Sequence, residues 1–314
     1  MIRPVAPRRS TPPSPPTTLT HVRPVEAVGA VGAGNDPARA PAPVPSSPPT
    51  VPIRPKRFRE LLDEPFALIQ AHITAFAALG GGALVLAVLG VLGVTGLVSH
   101  LTDGSDDGTA WAVVLATGVF LWLLRLVLRG ATVAIALADF GGVRYGAVAG
   151  LRAAGRRAGP LVLAQVMFSL LGIGVLVVGS LLIITYPLAL LWLSYVRARR
   201  FVIEPAILGE HAGYGVAVAR SKELVQGADW TVAGLWLTQR VIFAVLAVPA
   251  FGIPFFLSDF SGTHRWAFIT LVVGGLLLVV TVSEIVEASS RAVTYIDRRC
   301  AREGLDIHIP GGHR

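Results

Sequence analysis

Long apolar runs separated by short charged stretches dominate the pattern of this chain after residue 72. Each run reaches the length of about 20 residues that an α-helix needs to cross a bilayer core of roughly 30 Å. The apolar runs cover residues 73–98, 111–139, 161–196, 232–257 and 266–283. The composition agrees with this pattern, because 53% of the residues are hydrophobic and only 15% are charged. The sequence therefore predicts an all-α membrane protein.

The run at 161–196 is too long for one crossing. It contains no charged residue and would form a helix about 54 Å long at about 1.5 Å per residue. We therefore predict a hairpin that turns near Gly179 and Ser180, with a kink at Tyr186 and Pro187 in the returning helix. The chain then has six transmembrane helices arranged as three hairpins.

The distribution of basic residues between these spans predicts their orientation. Lys and Arg are concentrated before the first span, between the second and third, after the fourth and after the sixth. The stretch 99–109 instead contains three aspartates and no Lys or Arg, and 258–266 contains only Arg265. Because basic loops stay on the cytoplasmic side, we expect a multi-pass protein of the plasma membrane with both termini in the cytoplasm.

An amphipathic stretch precedes each hairpin and predicts a cytoplasmic interfacial helix. These stretches lie at residues 57–70, 144–157 and 214–227. In the first of them we expect Pro65 to restart the helix, with Asp63 or Glu64 as its cap. Three such units in parallel orientation differ from the inverted repeats of many secondary transporters. The repeat therefore counts against a transporter.

The first 56 residues form a proline-rich basic tail. Their Pro, Ser, Thr, Ala and Gly content cannot bury enough apolar surface to offset the entropy of ordering, so we predict disorder. Residues 1–59 carry nine Lys and Arg against Glu26 and Asp36. The predicted organisation is this tail at 1–56, a six-helix transmembrane domain at 57–309 and a short tail at 310–314.

The basic tail indicates the partners of the chain besides the lipid bilayer. Basic residues next to a membrane attract anionic lipid headgroups, and the tail offers an alternative docking site for a cytoplasmic protein. We do not expect nucleic acid, because the charges are dispersed among prolines and no aromatic residue precedes Phe58. The preference for Arg, Ala, Gly, Val and Pro is typical of GC-rich bacterial coding.

Charged residues inside the predicted spans form a candidate polar site. A central arginine costs about 2.5–3.5 kcal/mol on insertion scales, so each one requires an explanation. Either these residues form an inward-facing polar pocket, or they snorkel and make ion pairs that hold the bundle together, which we favour. The arginines, the amide next to one of them and the carboxylates expected to partner them are Arg125, Arg129, Gln239, Arg240, Glu204, Glu284 and Glu287.

Catalytic and metal-binding patterns are missing from the sequence. It contains no GxSxG, HExxH or P-loop motif, and none of its seven histidines is spaced for a metal site with a carboxylate or a second histidine. His308 and His313, near Asp306, come closest. A single cysteine excludes a disulfide within one copy of the chain. We therefore predict a protein that is not an enzyme and binds no cofactor or metal.

Two motifs resemble a known family. They read ARSKELVQGADW, before the fifth span, and YIDRRCAREGLD, after the sixth. They resemble six-span actinobacterial membrane proteins that are similar to the membrane domain ahead of some glycerophosphodiester phosphodiesterases. Ala301 stands where that family usually has an arginine. The motif positions are Arg220, Ser221, Glu223, Gly227, Trp230, Tyr295, Asp297, Arg299, Arg302, Glu303, Gly304 and Asp306.

The resemblance implies a stand-alone membrane domain, because the chain has no room for the soluble catalytic domain. Within the second motif we expect Asp297 to pair with Arg298 or Arg302, Glu303 to pair with Arg299, and Gly304 to end the helix. The function we predict is a non-enzymatic scaffold or interaction module of the membrane. The alternative is a transporter or lipid-handling protein with a polar site inside the membrane.

Overall fold

The computed structural model describes Thr50 and residues 52–180, 185–261 and 265–304. Over these residues the protein is 87% helical and has no strands, which confirms the predicted all-α class. The helices are α1 (Phe58–Ala71), α2 (Ile73–Leu101), α3 (Asp106–Phe140), α4 (Ala147–Gly155), α5 (Ala158–Ser180), α6 (Tyr186–Ala198), α7 (Ile203–Gly209), α8 (Tyr214–Val225), α9 (Asp229–Ser261) and α10 (Arg265–Glu303).

Five of these helices are long and apolar enough to cross a membrane. They are α2, α3, α5, α9 and α10, and they coincide with five of the six predicted spans. Their outer faces carry exposed large apolar side chains, among them Leu86, Trp111, Val178 and Phe256. A soluble protein rarely exposes such a continuous apolar surface, whereas lipid tails cover it without cost.

The predicted fourth span corresponds to α6, which has 13 residues and is therefore only about 20 Å long. Helix α5 ends at Ser180, near the predicted turn, and residues 181–184 lie outside the described residues. Tyr186 and Pro187 begin α6. Because residues 181–184 are not described, the kink predicted at Tyr186 and Pro187 stays a prediction. Proline suits this position because the first turn of a helix leaves its N–H groups unpaired in any case.

Helices α3 and α10 each have an apolar half exposed to the surroundings and a half enclosed by protein. In α3, Trp111, Leu115 and Val119 are exposed, whereas every residue from 128 to 136 is buried. In α10, every residue from 283 to 297 is buried. A helix can bury all its faces only when protein surrounds it. The enclosing structure, which we call the cap, consists of α1, α4, α7, α8 and these buried halves of α3 and α10.

Three cap helices, α1, α4 and α8, occur where amphipathic stretches were predicted. Helix α1 is continuous through Pro65, so the predicted restart is wrong. Leu61, Pro65 and Leu68 are buried along one face of α1, and this packing compensates for the missing N–H of the proline. Residues 52–56, which were assigned to the tail, also contact the cap, because the Lys56 backbone N–H donates to Asp297 Oδ1 at 2.6 Å.

Helix α7 was not predicted from the sequence.

Helix α4 packs closely on α3. A Cβ atom on Gly150 of α4 would lie 2.6 Å from the side chain of Ile135 and 3.0 Å from the carbonyl oxygen of Ala131. Only glycine therefore permits this approach of α4 to the backbone of α3. By contrast, a Cβ atom on Gly155 would meet no atom within 4 Å.

Candidate functional site

Two long helices meet at a cluster of charged residues where the cap joins the apolar helices. Helix α3 supplies Arg125 and Arg129, which are four residues apart and therefore share a face. Helix α10 supplies Glu284 and Glu287. Arg125 and Glu284 each lie about 28 Å from the start of their own helices. This distance is about the thickness of the bilayer core, so both residues lie where a helix that began at the opposite membrane surface would leave the core.

Glu284 is the centre of this cluster and is fully buried. Its Oε2 accepts a hydrogen bond from Arg125 Nε at 2.8 Å, and its Oε1 accepts one from Arg129 Nε at 2.6 Å. Arg129 also lies 3.4 Å from Glu204 of α7 and 3.9 Å from Glu287. Arg129 is thus surrounded by three carboxylates.

Helix α9 joins the cluster through Arg240, which forms an ion pair with Glu287. The neighbouring Gln239 donates to Ser290 Oγ at 2.5 Å and lies beside the ion pairs rather than among them. All seven residues singled out in the sequence are therefore brought to one region of the fold. We call them, together with Arg291, the polar cluster.

Arg291 is the member that sequence reasoning missed. It is fully buried and contacts Glu204 at 2.6 Å and Glu287 at 2.5 Å. Its guanidinium also lies 5.1 Å and 5.0 Å from the ring centroids of Phe168 and Phe201. The spacing of four residues from Glu287 signals this pair, but Arg291 lies beyond the predicted end of the last span and was assigned to the cytoplasm.

A further arginine adds positive charge beside the polar cluster. Arg197, at the end of α6, has no ion-pair partner among the described residues. Its guanidinium lies over the rings of Phe168 and Trp236, at 5.4 Å and 5.2 Å from their centroids. The polar cluster and Arg197 together hold five arginines and three glutamates, so this region carries excess positive charge.

The two family-like motifs contact each other at the outer surface of the cap. Arg220 of α8 pairs with Glu303 at the end of α10 and lies 3.0 Å from Glu210. Arg302 donates to the carbonyl oxygen of Gln226. Burial acts to lower the pKa of Arg220, but its hydrogen bonds to Glu210 and Glu303 outweigh this effect and hold the pKa above its usual value.

The other residues of the first motif also make structural contacts. Ser221 Oγ donates to the carbonyl oxygen of Arg199 at 3.1 Å, and the Trp230 ring packs on Tyr195 at 5.3 Å between centroids. Gly227 has a φ of +81°, a left-handed conformation that favours glycine. Glu223 is exposed and lies 3.5 Å from Arg220.

Most of the predicted contacts within the second motif are confirmed. Arg299 Nε donates to Glu303 at 2.8 Å, and Asp297 pairs with Arg298 rather than Arg302. Gly304, with a φ of +63°, follows the last residue of α10, as a helix stop requires. Asp306 lies outside the described residues. Tyr295 donates to Glu210 Oε1 at 2.8 Å.

A buried pair that the sequence did not indicate joins the start of α2 to the end of α3. His72 Nε2 lies 2.8 Å from Asp139 Oδ1, and both residues are buried. Thr50 also donates to Asp139, through its backbone N–H and its hydroxyl group, each at 3.0 Å. Because these partners are far apart in the sequence, no spacing rule could detect them.

No group of three or more His, Cys, Asp or Glu side chains arranged for a metal ion occurs in the described part of the chain. His308 and His313 lie outside it. Comparisons of the chain with protein families, with curated proteins and with solved structures give no match. The resemblance to the membrane domain of phosphodiesterases therefore stays a prediction.

Proposed function

We propose that this chain is a non-enzymatic integral protein of a bacterial plasma membrane and acts as a scaffold or interaction module. The observation that carries the proposal is the mutual pairing of charges in the polar cluster. Glu204, Glu284 and Glu287 are each buried and each contact an arginine from another helix. Carboxylates that are paired in this way connect helices and are not free to bind a transported cation. The polar cluster thus supports a structural role.

The membrane topology of this proposal has six crossings, with α5 and α6 as the third and fourth. The close approach of these two helices supports the hairpin, since Thr185 Oγ1 donates to the carbonyl oxygen of Gly179 at 2.9 Å. The cap faces the cytoplasm, because its loops carry the basic residues that the positive-inside rule assigns to that side. Both termini then lie in the cytoplasm as well.

The cap is the part of the protein that we propose as the interaction surface. The Arg220–Glu303 ion pair and the hydrogen bond from Arg302 to the carbonyl oxygen of Gln226 hold the two motifs against each other, so the surface they form is built on packed helices. The residues just before α1 pack against the cap, since Thr50 and Lys56 bond to the buried Asp139 and Asp297.

Site-specific photocrosslinking in native membranes tests this proposal. A crosslinker at the exposed Glu223 of the cap is expected to capture a discrete protein, whereas one at the lipid-facing Val114 is expected to capture lipid only. Repeating the experiment without residues 1–49 measures the contribution of the tail. Capture of lipid alone at both positions, with the tail present, would count against a scaffold.

A second candidate function is transport or handling of an anionic lipid or solute. The excess positive charge at Arg197, next to the polar cluster, favours it. Proteoliposomes that contain fluorescent phosphatidylglycerol provide the test. A lipid-handling protein accelerates the movement of this lipid between leaflets, and Arg197→Leu abolishes the acceleration while the protein stays folded. A scaffold gives the rate of empty liposomes for both proteins.

A further inference from the structure

An open pocket of about 620 Å³ lies in the cap between the ends of α3, α4 and α7. Small side chains such as Ala134 form its apolar wall, which leaves the space unfilled. Its polar side chains are Tyr145, Arg156, Arg157 and His211. We call it the cationic pocket. All four side chains can donate hydrogen bonds, and no carboxylate lines the pocket.

The two arginines of the cationic pocket differ from those of the polar cluster. Neither Arg156 nor Arg157 has an ion-pair partner among the described residues. The surrounding sequence offers none, because residues 140–203 contain no Asp or Glu. Two adjacent arginines without counter-ions at a concave surface form an electrostatic site for an anion, and paired guanidinium groups suit the oxygens of a phosphate.

The backbone at the edge of the cationic pocket is also unusual. His211 has a φ of +56°, a conformation that is uncommon for residues other than glycine. Such conformations are concentrated at ligand-binding and functional sites. Here it occurs after α7, and His211 lines the cationic pocket together with Arg156 and Arg157, which follow the end of α4.

An apolar groove lies on the other side of α4. Its walls include Leu126 and Val127 of α3 and Leu161 and Val162 of α5. The turn between α4 and α5 separates the two sites, since Gly155 and Ala158 line the groove and the arginines between them line the cationic pocket. Val127 also lines a second apolar groove between α2 and α3. The second groove, the apolar groove and the cationic pocket therefore follow one another along α3, at residues 120–127, 126–127 and 134–138.

We propose that the cationic pocket and the apolar groove together bind one anionic phospholipid. Arg156 and Arg157 bind its phosphate, Tyr145 and His211 donate to the remaining headgroup oxygens, and an acyl chain occupies the groove beside Val127. From Val127 to Ala134 the separation along α3 is about 10 Å. This distance is of the same order as the headgroup layer of a bilayer leaflet. A soluble phosphate compound would use the pocket and leave the groove empty.

This site is distinct from the basic tail and does not depend on the scaffold proposal. The tail attracts the membrane surface as a whole through dispersed charges. The cationic pocket instead recognises a single lipid molecule, because its arginines are adjacent and its apolar groove has a fixed position. Bound lipid then connects α3, α4, α5 and α7 at the edge of the membrane.

Native mass spectrometry of the full chain in detergent tests the proposal, with phosphatidylglycerol and phosphatidylcholine as probes. The variant Arg156→Gln/Arg157→Gln removes the two phosphate ligands. The matched control, Arg144→Gln/Arg152→Gln, removes the same charge from exposed arginines of the same segment that do not line the pocket. We expect the first variant to bind phosphatidylglycerol about tenfold more weakly or worse, and the control to bind it like the native protein.

A second variant, Val127→Trp, fills the groove and keeps the test valid if the arginine variant does not fold. It is expected to lower phosphatidylglycerol binding and to leave binding of inorganic phosphate unchanged. Excess inorganic phosphate is expected to displace the lipid poorly. The proposal would be overturned if the protein bound both lipids equally, or if the control variant lost as much binding as Arg156→Gln/Arg157→Gln. It would also be overturned if inorganic phosphate displaced the lipid fully and Val127→Trp had no effect.

Discussion

Glu284 illustrates how single residues make a charged interior possible in this protein. An ionised carboxylate without partners is very unfavourable in an apolar environment, and so is an isolated arginine. Here each oxygen of Glu284 accepts from a different arginine of α3. The cost of removing these charges from water is offset only while all charged members of the polar cluster are present. Loss of one member therefore leaves several uncompensated charges rather than one.

Replacing Glu284 with glutamine is expected to destabilise the protein by about 3–5 kcal/mol, because Arg125 and Arg129 remain buried without their shared carboxylate. Unfolding in detergent, followed by circular dichroism, measures the change. The control is Glu223→Gln, which removes an exposed carboxylate and should cost at most about 1 kcal/mol. Equal stability of the two variants would contradict the assigned role of Glu284.

Contacts between elements depend on close backbone approach in the cap. Gly150→Ala places a methyl group against Ile135 and the carbonyl oxygen of Ala131. We expect it to destabilise the protein by about 1–3 kcal/mol, since α4 must move away from α3. Gly155→Ala, on the same helix, meets open space and should cost nothing. Thermal unfolding compares the two, and a loss in both would mean that backbone flexibility matters rather than packing.

The pairing of α8 with the end of α10 also makes a quantitative prediction. In a double-mutant cycle, Arg220→Ala and Glu303→Ala should show a coupling energy of about 1 kcal/mol, because the pair is partly buried and belongs to a network. The exposed pair of Arg59 and Asp63, 3.9 Å apart on α1, is the control and should show almost none. A coupling energy near zero between Arg220 and Glu303 would mean that the two motifs lie close together without stabilising each other.

The whole molecule combines two kinds of surface. The outer halves of α3 and α10 expose apolar side chains, as lipid-facing helices do, while their inner halves are enclosed by the cap. The polar cluster lies where these regions meet. Helices α3 and α10 continue from one region into the other and so connect them.

Cysteine labelling tests the topology of the whole molecule. In a Cys300→Ala background, cysteines at Asp106 and Ser261 are expected to react with a membrane-impermeant maleimide added to intact cells. A cysteine at Gly213, in the cap, should react only after the membrane is permeabilised. Protection of the first two positions and labelling of the third would reverse the orientation. Labelling of Asp106 together with protection of Ser261 would exclude an even number of crossings between them.

Local pattern alone determined much of this protein. Apolar runs of about 20 residues with few or no charges are typical of membrane-spanning helices, so the apolar helices could be predicted from the sequence. The same holds for the amphipathic helices α1, α4 and α8. Contacts within one helical turn, such as Arg299 with Glu303 and the stop at Gly304, were also predictable because they depend on neighbours in sequence.

Only the tertiary structure decided which distant groups meet. Arg291 joins the polar cluster because α10 continues as a buried helix past the last apolar run, which hydropathy cannot reveal. His72 meets Asp139, and Pro65 stays helical, because packing of the cap outweighs local preferences. The cationic pocket is likewise a property of the fold, since Arg156, Arg157 and His211 come together only where α4 and α7 pack on α3. Residue spacing in the sequence predicts which side chains are adjacent on one helix. The polar cluster and the cationic pocket instead depend on how several helices pack together.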